Sequence, residues 1–266
     1  MDETPANTQP SEGETRPKRR GIYLLPNVLT SCCLGSGFYA IIAAINGDFS
    51  SAGAAVFIAM LFDGLDGRVA RWTGTDSQFG KEFDSLADMV AFGLAPALLT
   101  YQWGAARLTE YGQQWGRFGW LASFFYALCA ALRLARFNTR AGSTDKRFFE
   151  GLPSPSAAAL VAAFVWFSHE WRAPGLTGLA IAFAITALAG ALMVSSFPYP
   201  SLKQVDWDRR IKMAYAVIVP TFLVLIAREP PTMLLAMFAT FVASAPFLWL
   251  WRKLRRKSAR GTVHSG

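Results

Sequence analysis

The chain contains few of the side chains that bind soft metals or form disulfide frameworks. Its 266 residues include three cysteines and two histidines. Cys32, Cys33 and Cys129 lie within apolar stretches and lack the spacing of metal ligands, so we interpret them as small packing residues and predict no disulfide. His169 lies near the end of another apolar stretch, which is typical of an interfacial residue. The chemistry of this chain is therefore expected from other side chains.

Charged residues are also scarce, at 17% of the chain, whereas 53% of the residues are hydrophobic and the mean hydropathy is +0.27. An ordinary soluble domain is less apolar than this. Runs long enough to cross a bilayer, about 20 residues each, predict an all-α bundle of eight transmembrane helices at 22–46, 49–72, 80–103, 118–139, 154–171, 175–197, 211–227 and 231–251. The fifth and seventh runs are short, so six helices is the alternative count.

Polar segments flank this apolar region. We predict a disordered tail at 1–17, a membrane domain at 18–252 and a basic tail at 253–266. Nothing before Ile22 has the pattern of a cleavable signal peptide, and neither an internal repeat nor a second soluble domain is recognisable.

The basic residues are distributed unevenly along the chain. Of 26 lysines and arginines, 22 lie in the two tails and in the connections after the second, fourth and sixth predicted helices. Short cytoplasmic loops collect positive charge, so both termini are predicted to be cytoplasmic. The net charge of +8 does not indicate a nucleic-acid partner, because the basic residues lie at membrane boundaries rather than on a compact domain.

Four aspartates interrupt two of the apolar runs. Asp63 and Asp66 are three residues apart in LFDGLDGRVAR, and Asp84 and Asp88 are four apart in GKEFDSLADMVAFG. Each pair therefore lies on one face of a helix. A carboxylate near the hydrocarbon region of a bilayer costs free energy unless a bound ion or a partner group holds it there. Two such helices packed face to face predict a site for one or two hard divalent cations, Mg²⁺ or Mn²⁺, with a phosphate or pyrophosphate as the natural ligand.

The segment from Asp63 to Asp88 resembles the signature of the CDP-alcohol phosphotransferases, integral membrane enzymes of phospholipid synthesis. The resemblance implies that a phosphatidyl group passes from CDP-diacylglycerol to an alcohol, with release of CMP. It also implies that Asp63, Asp66 and Asp84 bind metal and that Asp88 is the general base, which could touch a metal as well. A homodimer in a bacterial or archaeal inner membrane, with a cytoplasmic active site, is expected on the same ground.

Further residues near this motif are predicted to bind CDP-diacylglycerol: Asn27, Thr30, Gly64, Gly67, Arg71, Gly80 and Lys81. The glycines give a ligand close access to the backbone, although small-residue helix packing also explains them. Arg71 is placed to reach the pyrophosphate, whereas Lys81 has an equally good explanation as a residue that extends to the headgroups. Asn27 and Thr30 share a helix face, and a helix start with a capping Asn27 is the alternative reading.

The core motif does not identify the acceptor alcohol. Four further stretches resemble the CDP-diacylglycerol-serine phosphatidyltransferases of bacteria and archaea: 84–97, 133–140, 148–159 and 192–203. This resemblance implies L-serine as the acceptor. Arg133 and Arg136 suit its carboxylate. Asn138, the hydroxyls of Ser154 and Ser156, and backbone carbonyls near Pro153 and Pro155 suit its ammonium group. The same arginines could anchor the helix end, hold the lipid phosphate or bind glycerol 3-phosphate, so a phosphatidylglycerophosphate synthase is the alternative enzyme.

Two functions outside enzyme catalysis fit the four aspartates less well. A divalent-cation transporter would spread its carboxylates across the depth of the membrane, but here all four lie toward one face. A non-catalytic scaffold would not retain four such costly charges.

Overall fold

The computed structural model describes residues 24–75, 77–140, 149–171, 175–199, 224–225 and 227–261. The described residues form helices, a π-helical segment at Met89–Leu94 and two short strands. The elements are α1 (Leu24–Ile45), α2 (Phe49–Thr73), α3 (Gln78–Asp88), α4 (Ala95–Glu110), α5 (Gln113–Arg140), β1 (Phe149–Glu150), α6 (Ser154–Glu170), α7 (Leu176–Val194), β2 (Pro198–Tyr199) and α8 (Pro230–Gly261).

The predicted helical class is confirmed, and the chain has several candidate membrane-spanning helices. Counting only residues that the structure describes, six helices are long and apolar enough to cross a membrane: Leu25–Ile45, Phe49–Thr73, Gln78–Glu110, Gln113–Thr139, Leu176–Val194 and Pro230–Phe247. Helix α6 has 17 residues and is shorter than these. The predicted span at 211–227 lies almost entirely outside the described residues, so the count of eight stays a prediction.

The predicted tails are described only in part. The tail at 1–17 lies outside the described residues. At the other end, α8 continues to Gly261 and so includes most of the segment predicted as a basic tail at 253–266.

The π-helical segment follows Asp88 directly and fixes the position of that residue. A π-helix leaves backbone carbonyls without their usual partners, and the buried Tyr126 hydroxyl on α5 donates to the Phe92 carbonyl at 2.9 Å. On the opposite side, a Cβ at Gly37 would lie 2.6 Å from the Ala91 Cα, so α1 approaches the segment as closely as a glycine permits. The chain beyond Asp88 is thereby held between α1 and α5.

Helix α6 lies in the centre of the bundle and contributes to two groups of buried side chains. One group joins it to α1, α2, α4 and α7, and the other joins it to α4, α5, α7 and α8. Its buried face is rich in alanine, including Ala157, Ala158 and Ala162, which allows neighbouring helices to approach closely. Ser154, its first residue, is also buried.

The segment that precedes α6 is hydrogen-bonded to the end of α7 and the segment that follows it. Strands β1 and β2 pair in antiparallel fashion, and the amide of Gly151 donates to the Phe197 carbonyl at 3.0 Å. Gly151 has a φ of 84°, and a Cβ there would lie 2.5 Å from the Met193 carbonyl oxygen, so only glycine fits. The Leu152 amide donates to the Leu192 carbonyl at 3.0 Å. We call these contacts the β1–β2 junction.

Candidate active site

Three of the four aspartates meet around one small volume. Asp63 and Asp66 extend from α2, and Asp84 extends from α3, while α1 packs against both helices. One carboxylate oxygen from each of the three lies within 4.8 Å of the others. Ligand oxygens around a Ca²⁺- or Mg²⁺-like ion, at metal distances of about 2.1–2.5 Å, lie at most roughly 4–5 Å apart. The donor set and its spacing therefore fit a hard divalent cation.

Asp88 lies one turn beyond Asp84 and is not part of this group of three oxygens. Its carboxyl lies against that of Asp63. Its Oδ1 atom is buried and has no hydrogen-bond partner in the part of the chain that the structure describes. The predicted metal ligands thus divide into three that share one volume and a fourth beside them with an unpaired oxygen.

Thr30 connects α1 to the acidic group. Its hydroxyl donates to Asp66 Oδ2 at 2.8 Å and also lies 3.1 Å from the Pro26 carbonyl oxygen. Both Thr30 and Asp66 are buried, with 4% of each residue exposed. The reading of Asn27 as a helix cap is wrong, because α1 already begins at Leu24.

A cavity of about 100 Å³ opens beside the acidic group, between α1, the end of α2 and the start of α3. Besides Asp66 and Asp84, its lining includes five residues that were predicted to bind the nucleotide lipid: Asn27, Thr30, Gly67, Gly80 and Lys81. Gly64 and Arg71 are outside that lining. The Arg71 Nη1 atom nevertheless lies 3.7 Å from the position of a Cβ on Gly67.

The three glycines of the motif have different surroundings. A Cβ on Gly80 would lie 3.1 Å from Ser77 Oγ and 3.6 Å from Asn27 Oδ1, so this glycine allows α3 to begin close to α1. A Cβ on Gly64 would meet no described atom within 4 Å, which does not support helix packing as the reason for that glycine. Packing explains Gly80 in part, whereas Gly64 borders open space and a Cβ on Gly67 would meet only the end of the Arg71 side chain, at 3.7 Å.

Thr75 and Ser77 line the same cavity and were not predicted. They lie in the turn between α2 and α3, where Gly74 ends α2 in the left-handed conformation with a φ of 61°. Thr75 is 6% exposed, and its hydroxyl lies 2.7 Å from that of Thr73. Ser77 caps α3 by accepting from the Gly80 amide at 3.0 Å. A serine three residues before Gly80 is a recognisable capping signal, whereas nothing local marks Thr75.

The residues predicted for the acceptor do not form one cluster. Arg133 Nη1 donates to Ser154 Oγ on α6 at 2.5 Å, and its Nε is buried without a partner among described residues. Arg136 Nη1 donates instead to the Val194 carbonyl at the end of α7, at 3.3 Å. Asn138 exchanges hydrogen bonds with Ser85 on α3, at 3.0 and 3.3 Å. Of the three, Arg133 lies close enough to Asp88 for its charge to act on that carboxyl.

Residues 23–195 match the family model described as CDP-alcohol phosphatidyltransferase. The chain is 35% identical over 230 residues to the CDP-diacylglycerol–serine O-phosphatidyltransferase of Helicobacter pylori strain J99, covering 86% of this chain and 92% of that protein. It is 38% identical over 182 residues to the archaetidylserine synthase of Methanothermobacter thermautotrophicus, covering 66% and 69%. Among solved structures it is similar to phosphatidylinositol phosphate synthase of Mycobacterium tuberculosis, with a TM-score of 0.48 and 17% identity over 65% of this chain and 82% of that one.

Proposed function

The chain belongs to the CDP-alcohol phosphatidyltransferase family, and we propose that it transfers the phosphatidyl group of CDP-diacylglycerol to the hydroxyl of L-serine, giving phosphatidylserine and CMP. Serine is supported by the names of the relatives that match most of the chain, from bacteria and from archaea. A requirement for Mg²⁺ or Mn²⁺ is part of the proposal, and the residues that would hold the ion are Asp63, Asp66 and Asp84.

One observation carries the choice of acceptor. Asp88 Oδ1 and Arg133 Nε are both buried, both unpaired within the described residues, and close enough for their charges to interact. An acceptor with a hydroxyl and a carboxylate satisfies both atoms, because the hydroxyl donates to Asp88 and the carboxylate accepts from Arg133. A phosphate-bearing acceptor would call for a stronger basic grip, and Arg136 is engaged with the end of α7 instead.

The cavity beside the acidic group is the proposed nucleotide side of the site. Its hydroxyl and amide groups, from Asn27, Thr75 and Ser77, suit a polar nucleoside. Lys81 on its wall and the exposed Arg71 close to Gly67 are placed to pair with phosphate oxygens. A bound divalent cation would neutralise the pyrophosphate and so stabilise the charge that develops as CMP departs.

The chemical step assigned to the protein is removal of one proton. Asp88 accepts the proton of the serine hydroxyl at Oδ1, and the hydroxyl oxygen forms a bond to the lipid-side phosphorus. The bond between that phosphorus and the oxygen bridging to CMP breaks, and CMP leaves with the electron pair. The proton on Asp88 is then released. Thr30 keeps Asp66 in one orientation during these events through its hydrogen bond.

The proposed site faces the cytoplasm of a bacterial or archaeal cell. The support is the charge distribution, because 22 of the 26 basic residues fall on the side that includes the acidic motif. Nucleotides are available on that side. The predicted homodimer stays a prediction.

The acceptor is tested directly with purified protein in detergent, CDP-diacylglycerol, and Mg²⁺ or Mn²⁺. Serine, glycerol 3-phosphate and inositol are supplied separately, and CMP release and the lipid product are measured. We expect phosphatidylserine, with the other acceptors slower by about 100-fold or more, because a site built for a carboxylate leaves buried groups unpaired with the wrong ligand. Turnover with glycerol 3-phosphate but not with serine would reject the acceptor and retain the family.

A further inference from the structure

We propose that Ser154 is a positioning residue that sets acceptor specificity by orienting the Arg133 guanidinium beside Asp88. The inference rests on the proposed function, in which Arg133 binds the serine carboxylate. Ser154 is the first residue of α6 and is only 1% exposed. Its hydroxyl oxygen accepts from Arg133 Nη1 at 2.5 Å.

One fixed hydrogen bond is enough to orient this side chain. A guanidinium is planar and its five donors have a fixed geometry, so holding Nη1 determines where the Nε edge points. Arg133 lies in the last turns of α5, from which an arginine can otherwise extend toward the headgroups. Ser154 instead keeps the group within the bundle, where Nε stays buried and available to a ligand.

Ser154 is itself held in place from two directions. The β1–β2 junction fixes the three preceding residues. Only a glycine fits at position 151 against the end of α7, and Leu152 is fully buried. Pro153 then limits the backbone immediately before the serine, and its carbonyl accepts from the Ala157 amide at 3.0 Å in the first turn of α6. The hydroxyl that faces Arg133 therefore has little freedom to move.

Asp88 is the other residue proposed to contact the acceptor, and the segment that follows it is hydrogen-bonded to α5, the helix that contains Arg133. Tyr126 lies two turns before Arg133 on α5, and its hydroxyl binds the Phe92 carbonyl just beyond Asp88. Helix α5 thus sets the distance between Asp88 and Arg133, and Ser154 sets the direction of the guanidinium. Together these contacts define the length of an acceptor that can reach both groups.

The test compares Ser154→Ala with Ser168→Ala, which removes a buried hydroxyl from the other end of the same helix. We expect Ser154→Ala to raise the KM for serine about tenfold, with kcat within about threefold and the KM for CDP-diacylglycerol within about twofold of wild type, because ground-state binding of the acceptor alone is weakened. Ser168→Ala should leave all three values unchanged. Equal increases in both KM values, or the same response to Ser168→Ala, would overturn the inference.

A double-mutant cycle with Arg133→Lys separates positioning from a structural role. Lysine has no planar fork to orient, so Ser154→Ala should have little further effect on serine KM in that background. Additive effects in enzyme that still binds CDP-diacylglycerol would reject the proposal.

If Ser154→Ala does not fold, Ser154→Thr retains the hydroxyl and should keep serine KM within about threefold of wild type. A tenfold rise in serine KM in that folded variant would count against the positioning role.

The acceptor panel with wild-type enzyme keeps this inference distinct from the proposed function. If the wild type uses another alcohol, the serine assignment fails, and the same cycle is measured with that alcohol. A selective rise in its KM for Ser154→Ala would still support a positioning role for Ser154, whereas an unchanged KM would reject it.

Discussion

Helix α2 has one aspartate immediately before its first residue and two more in its C-terminal half, and these two ends of the helix are built in opposite ways. Asp48 precedes the helix and accepts a hydrogen bond from the Ser51 amide at 3.0 Å, so the local backbone satisfies it. Asp63 and Asp66, about 22 Å or more farther along the helix, instead share a volume with Asp84. The same residue type is a helix cap at one end and part of an acidic cluster at the other.

The difference shows what a functional carboxylate looks like in this bundle. A cap needs one amide three residues away, and it stabilises the helix without any ligand. The cluster brings like charges from α2 and α3 together at one buried and two half-buried positions, an arrangement that favours an added cation. Substitutions at the two ends should therefore separate loss of chemistry from loss of stability.

The largest effect is expected at the shared volume. Asp84→Asn removes one of three clustered charges, and we expect kcat/KM to fall by about 10³-fold or more, since a metal site contributes several kcal/mol to transition-state stabilisation. Glu82→Gln is the matched control, because this exposed carboxylate lies on the same helix and accepts a hydrogen bond from Gln78. CMP release is measured across a range of Mn²⁺ concentrations. Near-normal activity at ordinary metal levels would show that the cluster is not the metal site.

A substitution at Asp88 tests whether this residue is the general base or a metal ligand. Asp88→Asn keeps the size of the side chain but cannot take a proton, so we expect turnover to fall by about 10²- to 10⁴-fold. Binding of CDP-diacylglycerol, measured by calorimetry in detergent with metal present, should stay within about threefold because three carboxylates remain. Activity comparable to wild type would remove Asp88 from the base role, and lost donor binding would make it a metal ligand instead.

The acidic cluster was predictable because its geometry follows from local spacing. Residues three or four apart share a helix face, and the cost of carboxylates within apolar runs indicates that they meet something. The three predicted metal ligands are accordingly found together. Only their number around the shared volume needed the structure, because Asp88 shares the helix face of Asp84 but lies one turn farther along α3.

The acceptor side was less predictable because its contacts join distant parts of the chain. Arg133 meets Ser154 and Arg136 meets Val194, and neither neighbour is indicated by spacing. Asn138 follows Arg133 by five residues, so it points roughly 140° away around α5 and reaches Ser85 on α3. The π-helical segment and the β1–β2 junction have no periodic signal either, since both depend on packing between helices.

A smaller effect is expected at Thr30, which supports the cluster without belonging to it. Thr30→Val removes the hydrogen bond to Asp66, so we expect the metal concentration for half-maximal activity to rise by about tenfold, as is typical for groups that orient a metal ligand. Thr100→Val is a matched control: Thr100 is also buried, and its hydroxyl likewise lies 3.1 Å from the carbonyl of a proline four residues earlier. An equal shift in both variants would indicate a general packing effect.

The smallest effect on activity is expected at Asp48, the opposite end of α2. Hydrogen bonds from the Ser51 hydroxyl and amide lower the pKa of Asp48 below its ordinary value. A lowered folded-state pKa stabilises the protein above the unfolded-state pKa of about 3.9 and loses that contribution as the pH falls through the folded-state value. Asp48→Ala should therefore reduce stability by about 1 kcal/mol at neutral pH, with the difference from wild type disappearing in acid. Thermal unfolding measured against pH tests this, with Asp48→Asn, which retains a capping oxygen, as the control. Because the cap is remote from the acidic cluster, the metal dependence of CMP release should be unchanged, and a shift in it would mean that the two ends of α2 are coupled.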